Sequence, residues 1–304
     1  MNRIARWQIA IFLAPALLIY ASFSAWPLLD TLGLGFFNTD EAGQQHFAGL
    51  ANYYKLLLDP QWSDGFWNAM GNNVEFFFIH MLVQNPIGLL LAALLSLKGV
   101  RFAKSYQTLL FLPTLLSVVI IGFIWQLILS PLWGVAESLL AQVGLAEHFQ
   151  PWLGEEGSAL LTLALISVWQ FIGIPMMLIY AALIAIPEEV IEAARVEGAS
   201  AWRIFWQIRL PLILPTLGLV TILTYVGNFN AFDLIYSVKG ALAGPNYSTD
   251  ILGTYFYRTF FGYQSQIGSP TMGAAVATLM FLVILAGVGV YFFAVQRRLQ
   301  RHAF

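Results

Sequence analysis

The 304-residue chain contains no cysteine, which excludes disulfides, a thiolate nucleophile and any cysteine-ligated metal site. Its four histidines are scattered and do not form the i, i+4 pairs that bring two imidazoles to one metal ion. Charged residues make up only 10% of the chain, compared with about 25% in a typical soluble domain. These scarcities argue against an enzyme and against a soluble protein.

Hydrophobic residues make up 59% of the chain, and the mean hydropathy is +0.73. This composition is typical of a protein that crosses the membrane several times. The net charge of −2 argues against nucleic acid as a partner.

Six apolar stretches are long enough to cross a membrane, for which a helix needs about 20 residues. They lie at about 7–29, 73–97, 106–129, 158–186, 212–238 and 271–295. We therefore predict an all-α membrane protein with six transmembrane helices in a single domain, 1–304.

The first stretch could imitate a cleavable signal peptide, because Arg3 and Arg6 precede it. It is longer than a typical signal core, and Trp26-Pro27 stands where small cleavage-site residues would be expected. We interpret it as a retained first span.

The basic residues are distributed unequally between the two sides of a six-span model. Eleven fall on one side: Arg3, Arg6, Lys98, Arg101, Lys104, Arg195, Arg203, Arg209, Arg297, Arg298 and Arg301. Lys55, Lys239 and Arg258 fall on the other. Cytoplasmic loops carry the excess of Lys and Arg, so both termini are predicted to be cytoplasmic, in a bacterial-type inner membrane.

The segment 187–211, called the elbow below, is the most highly charged connection between spans. Its seven charged residues are Glu188, Glu189, Glu192, Arg195, Glu197, Arg203 and Arg209. At roughly 2.5–3.5 kcal/mol per charge, placing them at the bilayer centre would cost on the order of 20 kcal/mol. The elbow must therefore lie outside the hydrocarbon, on the cytoplasmic side.

The elbow also carries helix start and stop signals. Pro187 and the acids after it suit a helix N-terminus, and Gly198 suits the left-handed position after a helix end. Ser200 can cap a second short helix. Pro211 is predicted to end that helix and to open the next span. A capped helix pair suggests a docking surface for a soluble partner, although an ordinary charged loop is the alternative.

The elbow sequence resembles a known signature. Glu192-Ala193-Ala194, three residues, Gly198, nine residues, Ile208, one residue and Leu210-Pro211 match every anchor of the EAA motif. That motif belongs to permease subunits of binding-protein-dependent ABC importers, and the six-span layout resembles their type I fold.

Three further segments resemble the carbohydrate branch of these permeases, which includes those for maltose-type sugars and for glycerol-3-phosphate. They are Gly49-Leu-Ala-Asn52-Tyr53, Phe111-Leu-Pro113, and Trp169 upstream of Ile186-Pro187-Glu188. The resemblance implies import of a mono- or oligosaccharide, with glycerol-3-phosphate or a polyol as the alternative substrate.

In this family the elbow is the coupling helix that docks on an ATP-hydrolysing subunit. The docking residues implied by position are Glu192, Ala193, Ala194, Gly198, Ile208, Leu210 and Pro211. The chain has no Gly-x-x-x-x-Gly-Lys-Ser/Thr phosphate loop, so ATP and Mg would be used by partner subunits and this chain would bind no cofactor. The implied partners are a second, non-identical permease, two ATP-binding subunits and an extracytoplasmic solute-binding protein.

Polar residues within the spans are candidates for substrate contacts, because such residues usually face a bundle interior. The predicted set is Thr224, Tyr225, Asn228 and Asn230 on the fifth span and Ser167, Trp169, Gln170 and Phe171 on the fourth. Amides can bond sugar hydroxyls and aromatic rings can stack on sugar C–H faces. Hydrogen bonding between spans, or to a second permease, is the alternative role.

An ion-coupled secondary transporter is the competing class, since Glu75 and Asp233 are acids near span ends. Such a transporter is also expected to carry inverted repeats, and the sequence has no convincing internal repeat. A membrane-embedded enzyme is disfavoured by the absence of a Ser-His-Asp set or Gly-x-Ser-x-Gly motif.

Overall fold

The computed structural model describes residues 6–40, 43–264 and 267–296, which are mostly helical. The α-helices are α1 (Arg6–Tyr20), α2 (Trp26–Leu34), α3 (Ala51–Leu58), α4 (Pro60–Ile79), α5 (Asn85–Leu95), α6 (Ala103–Phe111), α7 (Val118–Ile128), α8 (Ala136–Gln142), α9 (Glu156–Phe171), α10 (Gly173–Ile184), α11 (Glu188–Val196), α12 (Ala201–Ile204), α13 (Leu210–Phe229), α14 (Asp233–Lys239), α15 (Leu252–Phe261) and α16 (Pro270–Val290). The shorter elements are π-helical turns at Ala21–Ala25, His80–Gln84, Phe205–Arg209 and Tyr291–Gln296, and 3-10 helices at Leu112–Leu115 and Ala146–His148. The predicted all-α class is confirmed.

Four continuous helical stretches are long and apolar enough to cross a membrane. They are Ala10–Leu34, Pro60–Leu95, Ala201–Lys239 and Pro270–Phe293. Two bent helix pairs, α6 with α7 and α9 with α10, also pass this test. If each bent pair is one span, the described residues hold up to six spans, the number that hydropathy predicts.

Two helices begin well before the apolar stretches that predicted them. The second starts at Pro60 rather than at 73, and the fifth starts at Ala201 rather than at 212. Hydropathy detects the hydrocarbon-facing part of a helix, whereas the backbone hydrogen bonds continue into polar sequence.

The span predicted over 106–129 is sharply broken: its two halves differ in direction by 95°. Pro113 lies in the 3-10 helix that follows α6, and Leu116 is extended (φ −81°, ψ 148°). The Thr114 hydroxyl donates to the Gln170 carbonyl at 2.8 Å, and the Gln170 amide donates to the Leu116 carbonyl at 3.1 Å. Gln170 thus satisfies backbone and side-chain groups that the break would leave unpaired.

The described residues form two compact units, one within 6–66 and 256–282 and the other within 67–255 and 283–296. In the first unit, β1 (Phe37–Thr39) pairs with β2 (Gln45–Phe47) in an antiparallel hairpin. Buried Asn52 donates from Nδ2 to the carbonyls of Gly35 and Phe37, which fastens α3 to the turn before β1.

The second unit carries both the elbow and the cavity described below. One of its cores joins α5, α10 and α13 through Ala92, Leu95, Met176, Ile179, Leu183, Ile213 and Val220. At Gly88, an added Cβ would lie 3.1 Å from the Pro175 ring, so glycine permits the close approach of α5 and α10.

Candidate functional site

The first elbow helix, α11, ends in the geometry that its sequence predicts. Gly198 has φ +81° and follows the helix in the left-handed conformation. Its N–H donates to the Arg195 carbonyl at 3.0 Å, and the Ala199 N–H donates to the Ala194 carbonyl at 2.9 Å. This pair of bonds is a Schellman motif, which satisfies carbonyls at the helix end. The local prediction for Gly198 is confirmed.

The second elbow helix is capped as predicted but does not end where predicted. The Ser200 hydroxyl accepts the Arg203 N–H at 3.3 Å, as expected of an N-cap. Pro211 does not stop the helix, because the π-helical turn Phe205–Arg209 leads directly into α13. Pro211 stands in the first turn of α13, where a missing N–H is tolerated, so it opens the helix of the next span as predicted. The predicted break before it is wrong, because the helical stretch is continuous from Ala201 to Lys239.

The elbow has a small hydrophobic core of its own, and some of the predicted docking residues belong to it. Ile191, Ala194 and Ile204 are buried together, with Ile208 packed against them. Ala194 therefore faces inward.

The other six differ in exposure. Glu192, Ala193, Gly198 and Pro211 are exposed, whereas Ile208 and Leu210 are half-buried. The accessible part of the predicted surface is thus formed by Glu192, Ala193 and Gly198 on α11 and its end, and by Pro211 on α13.

Two contacts connect the elbow to the segment that follows α5. Glu188 at the start of α11 forms an ion pair with Lys98. Arg209 donates from Nη1 to the Ser96 hydroxyl at 3.4 Å. These two contacts attach the elbow to the residues that follow the second span.

A cavity of about 420 Å³ lies between the second, fourth and fifth spans of the second unit. Its lining residues are Phe76, His80, Gln84, Val118, Ser167, Phe171, Ile174, Pro175, Leu178, Val220, Leu223, Thr224, Gly227, Asn228, Asn230, Ala231, Phe232, Asp233, Leu234 and Ile235. Small-molecule sites usually occupy roughly 300–1,000 Å³ and combine mostly apolar walls with a few placed polar groups. The cavity has this character.

Five of the eight predicted substrate residues line the cavity, namely Ser167, Phe171, Thr224, Asn228 and Asn230. Asn228 is the most informative of them because it is only 5% exposed. Its Nδ2 donates to the Thr224 carbonyl at 2.7 Å, while its Oδ1 is buried without a hydrogen-bond partner among the described residues.

The other three predicted residues lie elsewhere. Tyr225 points toward α16, where its hydroxyl donates to the Val283 carbonyl at 2.7 Å. Trp169 packs edge-to-face on Trp125 with ring centroids 5.6 Å apart, in a different pocket. Gln170 is fully buried and spans the break in the third span. Consecutive residues of a helix point in different directions. Trp169, Gln170 and the cavity residue Phe171, which are adjacent on the fourth span, therefore have three different environments.

Polar residues of the second span that were not predicted also line the cavity. His80 bonds through Nδ1 to the Phe76 carbonyl at 2.8 Å and through Nε2 to the Ser167 hydroxyl at 3.0 Å. Since a carbonyl only accepts, Nδ1 carries the proton, and Nε2 of the neutral ring accepts from Ser167. Gln84 lies one turn further along the same wall. Polar residues in an apolar span were the available sequence signal.

Asn85, next to Gln84, bonds to the fifth span through Nδ2 to the Thr224 hydroxyl at 3.2 Å. Thr224 itself donates to the Val220 carbonyl at 2.9 Å. The Thr224 hydroxyl is therefore engaged within the bundle, in the interhelical role that was the alternative to substrate binding.

Asn73 connects the cavity to the chain after α14. It is fully buried, and its Nδ2 donates to the Asn228 carbonyl at 2.9 Å. Its Oδ1 accepts the N–H of Leu252, the first residue of α15, at 2.7 Å. The backbone of Asn228 is thus held by a side chain from the second span.

Charge is sparse around the cavity. Asp233, the first residue of α14, is the only charged residue among those that line it, and Glu75 is exposed outside it. Within the described ranges, no three His, Asp or Glu residues lie close enough to hold a metal ion. The lining offers amide oxygens, hydroxyls and rings to a ligand.

Comparison with known proteins agrees with the resemblance given by the elbow. The model of the family described as "Binding-protein-dependent transport system inner membrane component" matches residues 84–303. The lactose transport system permease protein LacF of Rhizobium radiobacter is 28% identical, over 90% of each chain. The arabinooligosaccharides transport system permease protein AraP of Bacillus subtilis is 29% identical, over 90% of this chain and 84% of its own.

The fold matches a solved structure titled as a bacterial alginate ABC transporter in complex with an alginate pentasaccharide-bound periplasmic protein. The TM-score is 0.79, with 23% identity, over 94% of this chain and 92% of the matched chain. At that identity the match establishes the fold. The chain belongs to the family of inner membrane components of binding-protein-dependent transport systems, and it has the fold of an ABC importer permease.

Proposed function

We propose that this permease is one half of the membrane pathway of an ATP-driven importer for an uncharged mono- or oligosaccharide. The observation that carries the proposal is Asn228, a buried cavity residue whose Oδ1 has no hydrogen-bond partner among the residues that the structure describes. Relatives named for lactose and for arabinooligosaccharides support the sugar assignment.

The cavity supports a neutral ligand over a phosphorylated one. Asp233 is acidic, and no Lys or Arg is among the lining residues. A phosphate would meet repulsion and no basic partner, whereas Arg and Lys usually bind such groups. Glycerol-3-phosphate is therefore the weaker candidate, and an uncharged polyol remains the second one.

The elbow is proposed to dock on an ATP-binding subunit through Glu192, Ala193 and Gly198. These residues are exposed, and the Schellman end and the Ser200 cap hold the surface rigid. Ala194, Ile208 and Leu210 would support this surface from behind, and Pro211 would carry its movement into the fifth span. ATP and Mg would act in the partner, and this chain would bind neither.

The assembly would contain a second permease, two ATP-binding subunits and an extracytoplasmic solute-binding protein. We propose that the elbow and both termini lie on the cytoplasmic side, because eleven of the fourteen basic residues fall there in a six-span topology.

The assembled importer, reconstituted in proteoliposomes with its binding protein, tests this proposal. We expect labelled lactose or arabinotriose to accumulate only when ATP is present at the ATP-binding subunits. Glycerol-3-phosphate should not accumulate. Accumulation by this chain without nucleotide would favour the secondary transporter, and preferential uptake of glycerol-3-phosphate would overturn the sugar assignment.

A further inference from the structure

The second span changes its helical geometry where it borders the cavity. A π-helical turn runs from His80 to Gln84 between α4 and α5. Such turns are rare and occur frequently at functional sites, because the extra residue re-aims side chains within a helix. Three polar residues lie in this turn or directly after it, namely His80, Gln84 and Asn85.

Two of these three residues have partners on other spans. His80 bonds to Ser167 on the fourth span, and Asn85 bonds to Thr224 on the fifth. These contacts fix the second span on both sides of Gln84. The Gln84 side chain is therefore held in place without being used by either contact.

Gln84 itself is 6% exposed and lines the cavity. Its Oε1 is buried and has no hydrogen-bond partner among the described residues. A buried acceptor without a partner is costly, and most such atoms in proteins are paired. The Asn228 Oδ1 is in the same condition in the same cavity.

We propose that Gln84 is a further substrate-binding residue, whose Oε1 accepts a hydrogen bond from a hydroxyl of the transported sugar. This inference rests on the proposed function. It adds a binding residue from the second span to those predicted on the fourth and fifth spans, which flank the elbow. Gln84 and Asn228 would bind hydroxyls on different parts of the ligand, since one comes from the second span and the other from the fifth.

This assignment has a consequence for selectivity. A site built to bond a hydroxyl strongly rejects the analogue that lacks it, because the acceptor is then left buried and unpaired. The importer should therefore discriminate against the sugar that lacks the hydroxyl bound by Gln84. Replacing Gln84 by an apolar residue of similar length should remove that discrimination.

The test uses the complete importer with its binding protein in proteoliposomes, and Gln84→Met in this chain. The probes are lactose or arabinotriose, whichever the wild type carries faster, and the monodeoxy series of that sugar. We expect Gln84→Met to slow uptake of the parent sugar about tenfold, a difference of about 1.4 kcal/mol. One monodeoxy sugar should then be carried as fast as the parent, whereas the wild type prefers the parent about tenfold.

Two further variants separate binding from folding. Gln84→Asn keeps an amide and should retain part of the discrimination. Gln107→Met is the matched control, since Gln107 lies on α6 and is not among the residues that line the cavity. Its Nε2 is also buried without a hydrogen-bond partner in the described part of the chain. This control should keep the wild-type ratios.

The outcomes are distinguishable. If Gln84→Met keeps the wild-type preference against every monodeoxy sugar, or if Gln107→Met loses it equally, the role of Gln84 is contradicted while sugar import stands. If the wild-type importer carries none of the sugars, the proposed function fails first and the inference fails with it.

Discussion

The elbow and the cavity satisfy their polar groups in opposite ways. In the elbow, residues close in sequence supply the hydrogen bonds: Gly198 ends α11, and Ser200 caps α12. In the cavity, the polar groups come from three spans, and the acceptors of Gln84 and Asn228 have no partner among the described residues. A surface that docks on an ATP-binding subunit benefits from local rigidity. A surface that binds and releases a ligand needs hydrogen-bonding groups that are available to the ligand.

The largest expected effect is on the elbow, from Gly198→Asp. Asp would be forced to φ +81°, a conformation that costs an L-residue about 1–2 kcal/mol, and its charge would directly follow that of Glu197. We expect sugar uptake to fall to background while the protein still inserts into the membrane. Uptake by proteoliposomes and the amount of inserted protein are the measurements.

Gly144→Asp is the control for that strain. Gly144 has φ +77° and, like Gly198, has open space around an added Cβ, but it lies outside the elbow. It should retain most of the uptake. Normal transport by Gly198→Asp would remove the elbow from the docking role.

In the cavity, Asn228→Ala removes the Oδ1 acceptor proposed to bind the sugar and should reduce uptake of the sugar about tenfold or more. Substrate-stimulated ATPase activity should fall with it, while basal ATPase activity is retained because the elbow is untouched. Unchanged uptake and unchanged stimulation would remove Asn228 from the site.

A smaller effect is expected from Asn73→Ala, which tests how far the cavity depends on long-range contacts. The change leaves the buried Leu252 N–H without its partner, at roughly 1–3 kcal/mol. It also removes one hydrogen bond to the Asn228 carbonyl, which still accepts the Ala231 N–H at 3.2 Å. Thermal unfolding of the purified permease should shift to lower temperature.

Asn68→Ala is the matched control for this comparison, since exposed Asn68 donates to the Tyr247 carbonyl at 2.9 Å. Its unfolding temperature should change little. Equal shifts for the two variants would contradict the assigned role of Asn73.

The same contrast explains what could be predicted from sequence. The left-handed Gly198 and the Ser200 cap follow from residues within one turn, and the apolar stretches follow from hydropathy alone. The continuation through Pro211 was missed because a π-helical turn is not signalled by composition.

The cavity was harder to predict because its members are far apart in sequence. Hydrophobic periodicity identifies a helix but not which neighbour each face will meet. Asn228 and Gln170 were both predicted to bind substrate. Asn228 lines the cavity, whereas Gln170 on the fourth span donates to the Leu116 carbonyl at the bend of the third span. His80 and Gln84 could have been proposed as polar residues in an apolar span. However, Ser167, which bonds to His80, is 87 positions away, and Asn228, which lines the same cavity as Gln84, is 144 positions away.

The most direct test of the account is a cross-link between the elbow and an ATP-binding subunit. The chain has no cysteine, so Ala193→Cys introduces one thiol at an exposed elbow position. In the assembled importer, a short thiol-directed cross-linker should join this residue to an ATP-binding subunit, and Ala146→Cys, outside the elbow, should give no such product. A cross-link to the ATP-binding subunit from Ala146→Cys, and none from Ala193→Cys, would contradict the account.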